Sequence, residues 1–119
     1  MISIFIVEDD KSIQMLYQKI LNLVGFRVLG VANNGAEAVT MFEKMSEKPD
    51  IILMDHRMPV KNGLEAMKEI LTMHSVQKII FASADKTVRE EALAIGSVGF
   101  IDKPFSFDRL VQKIKEVIS

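Results

Sequence analysis

Four short stretches of the chain end in side chains suited to chemistry rather than to packing. Ile51-Ile52-Leu53-Met54 is an unbroken apolar run that ends in Asp55 and continues at once into His56-Arg57-Met58-Pro59. Ile2 to Val7 ends in Glu8-Asp9-Asp10, Lys78 to Ala82 in Ser83-Ala84-Asp85, and Phe100-Ile101 in Asp102-Lys103-Pro104-Phe105. Two or three carboxylates facing one another repel unless a cation offsets them, and oxygen ligands with open water positions suit magnesium. A lysine is a compact positive charge for phosphate oxygens, and a serine hydroxyl can hydrogen-bond the same group. An aspartate beside such a cation can attack phosphorus and form an acyl phosphate, while the cation and Lys103 neutralise charge on the transferring group. Glu8, Asp9, Asp55, Ser83 and Lys103 together therefore read as a phosphoryl-accepting site, if the fold gathers them. Taken singly each has a plainer reading: Asp10 as a helix cap, Glu8 and Asp9 as a solvated turn, Ser83 as an ordinary strand-end polar group.

The elements that must do the gathering follow from hydrophobic period. Ile51 to Met54 lacks alternation and is bounded by turn formers, as in a strand buried on both faces, and Ile2 to Val7, Val28 to Ala32, Lys78 to Ala82 and Phe100-Ile101 read as further strands. Between them, Ile13, Leu16, Tyr17, Ile20, Leu21 and Val24 recur at helical spacing from Ser12 to Val24, with Gly25 as the stop. A second helix opens at Asn33-Asn34-Gly35 and turns Val39, Phe42 and Met45 inward, and a third buries Leu64, Met67, Ile70 and Leu71. Thr87 to Ile95 is predicted helical with a narrow, partly alanine stripe, and Ser106 to Ile118 forms the last helix. Five strands alternating with five helices is the pattern of an α/β, doubly wound parallel sheet with right-handed crossovers. Ligands bind such sheets outside the carboxyl ends of the strands, where all five candidate residues fall.

Composition sets the bounds. At 119 residues, with 49% hydrophobic and 26% charged, the chain is long enough for one domain with its own core and too short for two. Fifteen basic and 16 acidic residues leave a net charge of -1, so no overall basic field draws it to nucleic acid or an anionic membrane, and partners are expected to be proteins or small molecules. It contains no cysteine, which excludes disulfides and thiolate metal sites. No apolar run approaches a membrane span, and a cytoplasmic location is the expectation.

On Ile6-Val7-Glu8-Asp9-Asp10, Met54-Asp55-His56-Arg57-Met58-Pro59, Ser83-Ala84 and Lys103-Pro104-Phe105, the chain resembles a receiver domain of the two-component response-regulator family over its whole length. The resemblance implies a flavodoxin-like sheet of order 2-1-3-4-5 and one receiver domain over 1–119 without an output domain. It implies Asp55 as phosphoacceptor from a histidine kinase or phosphotransfer protein. Magnesium would be held by Glu8 (mainly through water), Asp9, Asp55 and the backbone carbonyl of Arg57. Ser83 and Lys103 would contact the phosphoryl group, and the Lys103-Pro104 bond would be cis. Phe100 stands at the family's switch-aromatic position, where it is equally readable as a core residue of an edge strand. On the switch reading Ser83 moves toward phosphorylated Asp55 and the ring enters the vacated space, remodelling the face of helix four, strand five and helix five. That face would meet a downstream protein or a second copy. Arg57 and Asp85 occupy positions that tune phosphoryl lifetime, either by pairing across the site mouth or as two solvated charges.

Other readings are weaker. A docking module with the fold but no phosphorylation would not need the full set of acids, Ser83 and Lys103. An aspartate-nucleophile phosphatase would have a second aspartate two residues after the nucleophile, where Arg57 stands, and a flavin phosphate would be repelled by Glu8-Asp9-Asp10. His56 is expected to face away from the site in a surface role, and His74 to be solvated.

Overall fold

The computed structural model describes residues 1–119. Its strands are β1 Ser3–Val7, β2 Arg27–Ala32, β3 Ile51–Asp55, β4 Lys78–Ser83 and β5 Gly99–Asp102. The helices between and after them are α1 Lys11–Leu23, α2 Gly35–Lys44, α3 Gly63–Met73, α4 Arg89–Ile95 and α5 Phe107–Ile118. All strand pairs are parallel and the order is β2-β1-β3-β4-β5. The order reverses between β1 and β3, so the connections leaving these two neighbours run to opposite sides and open a crevice at their carboxyl ends.

Side chains alternate across a strand, and here the alternation divides the core in two. Phe5, Val7, Ile52, Met54, Ile79 and Phe81 face α2, α3 and α4, meeting Phe42, Met67, Ile70 and Ala92. Ile4, Ile6, Ile51, Leu53, Ile80 and Ile101 face the other layer, meeting Tyr17 and Leu21 of α1 and Leu110 and Ile114 of α5. The four residues before Asp55 are at most 2% exposed, so a truncation such as Leu53→Ala would cost about 2–5 kcal/mol. Register then sets the site: Val7 pairs with Met54, Asp55 with Ala82, and Ser83 with Asp102.

Three helix starts near the site are capped by side chains, which fixes where the strand-end loops turn. Asp10 accepts from the N–H groups of Ser12 and Ile13, Asn34 from Glu37, and Asn62 from Glu65 in a reciprocal capping box. Gly63 is required by close approach, because a Cβ there would lie 2.2 Å from the carbonyl oxygen of Asp55. Its N–H donates to His56 O at 3.0 Å, pinning α3 against the end of β3. Within the same loop, Lys61 N–H donates to Pro59 O at 2.7 Å across Val60, whose φ is +70°, a tight turn in a region that branched side chains avoid.

Several packing expectations need correction. Leu16 and Val24 are 46% and 47% exposed, whereas Gln14 is buried at 6%. The inward stripe of α1 is Gln14, Tyr17 and Leu21, rotated from the most apolar one because Gln14 finds polar partners inside. The segment from Thr87 is not one helix, since Lys86–Val88 forms a 3-10 turn capped by Asp85 before α4 begins. His56 and His74 are half-buried, their rings 5.8 Å from Phe81 and 6.2 Å from Phe42, because each packs beside an aromatic ring of the α2–α4 layer.

Candidate functional site

The carboxyl ends of β1, β3, β4 and β5 bring Glu8, Asp9, Asp55, Ser83 and Lys103 to one edge. Carboxylate oxygens of Glu8, Asp9 and Asp55 lie within 4.8 Å of one another. Glu8 is 2% exposed, Asp55 8% and Ser83 2%, while Asp9 is open to solvent. Alternation turns Asp55 to the side of Ile51 and Leu53 and sends His56 to the side of Met54, against Phe81. Beside the acids, Asp9, His56, Arg57, Met58, Pro59, Asn62 and Asp85 line an open cleft of about 470 Å³.

Lys103 ties the acids together. Its Nζ is 2.9 Å from Glu8 Oε1 and 3.1 Å from Asp55 Oδ1. Its backbone N–H donates to Ser83 O at 3.0 Å, and these contacts carry its side chain from β5 across β4 and β3 toward β1; the peptide to Pro104 is cis. Burial pushes the Asp55 carboxyl above the usual carboxylate range against the pull of Lys103, and burial likewise raises Glu8. Burial by itself would lower Lys103, but Asp55 and Glu8 outweigh it and hold the ammonium charged well above the ordinary lysine value. One lysine thus leaves the acidic group short of positive charge. Three carboxylates on three different residues, all hard oxygen donors and two of them raised, fit a small divalent cation.

Glu8 is the most constrained of the acids. Its Oε2 accepts from Asp10 N–H at 3.1 Å, its Oε1 from Lys103, and its N–H continues the sheet ladder to Ala32 O at 3.0 Å. Its carbonyl accepts from the side-chain amide of Gln14, which also donates to Asn33 Oδ1 at 2.8 Å. Gln14 was not singled out as a site residue, although a polar residue three and seven positions before Tyr17 and Leu21 on a buried stripe was the available signal.

Around the mouth, Asp85 N–H donates to Ser83 Oγ at 3.0 Å, and Arg57 Nη2 lies 3.3 Å from Asp85 Oδ2. Hydrogen bonds from the Thr87 hydroxyl and N–H, with Arg57 beyond them, hold the Asp85 carboxyl below its ordinary value. Phe100 is 5% exposed and lies inward, its ring stacked on Phe81 at 6.1 Å between centroids. Arg89, the first residue of α4, covers the outer side with its guanidinium 5.5 Å from the ring centroid and 3.6 Å from Asp102. His56, Phe81, Phe100 and Arg89 therefore form a continuous row from the residue after Asp55 to the face of α4 and β5.

A parallel sheet of order 2-1-3-4-5 with a three-carboxylate pocket, a bridging lysine and a buried serine hydroxyl at its carboxyl edge defines a receiver-type signalling domain with a pocket typical of phosphoacceptor sites. Residues 4–115 match the response regulator receiver domain, and the chain belongs to that family. It is similar to the chemotaxis protein CheY of Thermotoga maritima, with 38% identity over 116 residues covering 96% of this chain and 95% of that one. It superposes with a TM-score of 0.90 and 26% identity on a chain of the CheX-CheY-BeF3-Mg2+ complex from Borrelia burgdorferi, covering 99% of this chain and 90% of that one. With the response regulator TrrA of Thermotoga maritima, solved in complex with Mg2+ and BeF, the TM-score is 0.87 and the identity 31%, covering 98% of this chain and 99% of that one. The family is one of signalling phosphoacceptors rather than of turnover enzymes. No helix of the structure is long and apolar enough to cross a membrane.

Proposed function

We propose that the chain accepts a phosphoryl group on Asp55 from the phosphohistidine of a sensor kinase or phosphotransfer protein and passes the signal on by protein contact. The observation that carries this reading is the meeting of three carboxylates within 4.8 Å, two of them bridged by Lys103, at the carboxyl edge of the sheet. An oxygen of Asp55 attacks phosphorus while the bond from phosphorus to the donor imidazole nitrogen breaks. The electron pair stays on that nitrogen, which takes up a proton, and an acyl phosphate remains on the protein.

Glu8, Asp9, Asp55 and the backbone carbonyl of Arg57 are the residues that would hold magnesium, which when bound neutralises charge on the transferring oxygens. Lys103 contributes a positive charge of its own beside Asp55, already held within 3.1 Å by its bond to Glu8. Ser83 receives Asp85 N–H on its oxygen, leaving its own proton to donate to the phosphoryl group. Arg57 and Asp85 pair over the cleft and slow the entry of hydrolytic water. Movement of the Ser83 hydroxyl toward the phosphoryl group draws along the Asp85 N–H bonded to its oxygen and shifts the β4–α4 loop, and the row through Phe81, Phe100 and Arg89 carries that shift to α4, β5 and α5, the face offered to a target protein or a second copy. Phe100 lacks a hydroxyl, so its inward position rests on packing and on Arg89 alone.

The test is intact-mass measurement after incubation with Mg2+ and acetyl phosphate. One phosphoryl group should appear on the parent chain and none on Asp55→Asn. No gain on either would leave a docking module with the fold but no phosphorylation.

A further inference from the structure

Gln14 is 6% exposed on the inner stripe of an otherwise apolar helix face, and both hydrogens of its amide are engaged. One meets the main-chain oxygen of Glu8 and the other Asn33 Oδ1. Asn33 is itself oriented, since its backbone N–H and its side-chain amide both donate to Glu37 Oε1, at 3.1 and 2.9 Å. The amide of Asn33 must therefore present its oxygen to Gln14, and Gln14 must present its nitrogen to Glu8. The direction of the whole chain of bonds is set by the acceptor-only carboxylate at its far end. Each member has one arrangement, and the chain of bonds runs from the first turn of α2 through the β2–α2 loop to the end of β1.

The carbonyl that Gln14 holds belongs to the peptide linking Glu8 to Asp9. Fixing that oxygen fixes the plane of the peptide, and with it the direction in which Asp9 leaves the strand relative to Glu8. The peptide on the far side of Asp9 is held too, Asp10 N–H donating to Glu8 Oε2 at 3.1 Å, whereas the Asp9 side chain is exposed and its carboxylate has no hydrogen bond within the chain, so its direction depends on these two peptides. We propose that Gln14 is a positioning residue for the cation site, acting through the Glu8-Asp9 peptide so that the two acids offer their oxygens together. This rests on the magnesium-dependent acceptor reading above and adds to it a residue outside the ligand set. Groups that orient metal ligands from behind typically contribute about 10- to 100-fold to metal affinity.

The measurement is Mg2+ titration of the unphosphorylated, full-length protein by calorimetry, with urea unfolding of the same samples. Gln14→Met keeps the length and volume of the side chain and removes both donors, and its Mg2+ affinity should fall about 10- to 100-fold. Labelling by acetyl phosphate should slow at low Mg2+ and recover at saturating Mg2+. Leu21→Ala, lower on the same stripe, loosens the helix without touching the carbonyl, so it should lose stability and retain the parental affinity. Asn33→Ala frees the amide of Gln14 from one side and should weaken Mg2+ several-fold, giving a second reading should Gln14→Met fail to fold. Parental affinity in Gln14→Met or in Asn33→Ala, or an equal loss in Leu21→Ala, overturns the proposal while leaving the acceptor reading intact. Absence of Mg2+ binding by the parent chain overturns both.

Discussion

Replacing Lys103 by methionine isolates the electrostatic problem at the centre of the fold. Methionine preserves most of the apolar stem and removes the ammonium that lies 2.9 Å from Glu8 and 3.1 Å from Asp55. Each charged hydrogen bond contributes about 1.5–3 kcal/mol, and orphaning one partner of a buried pair costs about 3–5 kcal/mol. The lysine side chain retains 21% of its exposure, so water reaches the bonds and the lower end applies. The expected loss is about 3 kcal/mol at neutral pH without Mg2+, read as urea midpoint and slope by circular dichroism. Asp55→Asn should recover part of it, because one of the two stranded charges disappears, and Mg2+ should recover part by supplying the missing positive charge.

The pH dependence has a definite sign. Glu8 and Asp55 bind protons more tightly in the folded chain than in the unfolded one, so parental stability falls as pH rises from the ordinary carboxylate range through their raised values. In Lys103→Met the carboxyls rise further, and the fall becomes deeper and reaches higher pH. Below the ordinary carboxylate range both are protonated and the variant should approach the parent. The contribution of Lys103 itself is complete below the ordinary lysine value and is lost only as pH climbs through its raised folded value. A pH-independent loss, or one below about 1 kcal/mol, would refute the idea that this lysine stabilises two buried carboxylates.

Two further outcomes follow from the loops around the site. Arg57→Asn removes the guanidinium beside Asp85, and the acyl phosphate formed with acetyl phosphate should then decay several-fold faster by intact mass; an unchanged decay rate would show that the exposed pair only solvates. Val60→Gly relieves a branched side chain held at φ +70° on an 84% exposed loop, and should raise stability to urea by about 1 kcal/mol, whereas a neutral or destabilising result would mean that the turn carries no strain.

The fold was legible because most of its strands are apolar runs and most of its helices, α4 apart, begin with a capping side chain, signals that need no tertiary knowledge. The acids, serine and lysine were legible because each stands at the end of such a run, so that the choice of sheet class alone brings them together. Gln14 was not, because period rewards apolar residues: Leu16 scores as core, yet the helix turns its glutamine inward to satisfy a carbonyl that sequence does not display. The break between Val88 and Arg89 escaped for a related reason. Lys86 to Val88 follows an Asp85 cap that also starts an α-helix well, and what sets the turn apart is the i+3 bonding of Val88 N–H to Asp85 O and of Arg89 N–H to Lys86 O, which sequence does not display. Gly63 reads in sequence as a turn former, while its use is to let α3 press on the carbonyl of the acceptor residue.

The bond between Lys103 and Glu8 joins residues 95 positions apart. During synthesis the first three strands and most of the acidic pocket leave the ribosome long before the lysine does. Until β5 docks, the carboxylates of β1 and β3 must stay hydrated or protonated, and the crevice between these strands remains open to water. During synthesis, completion of the pocket therefore waits on β5, whose end delivers Lys103. A product cut short before β5 would retain Asp55 and three potential ligands and still lack the charge that holds them together.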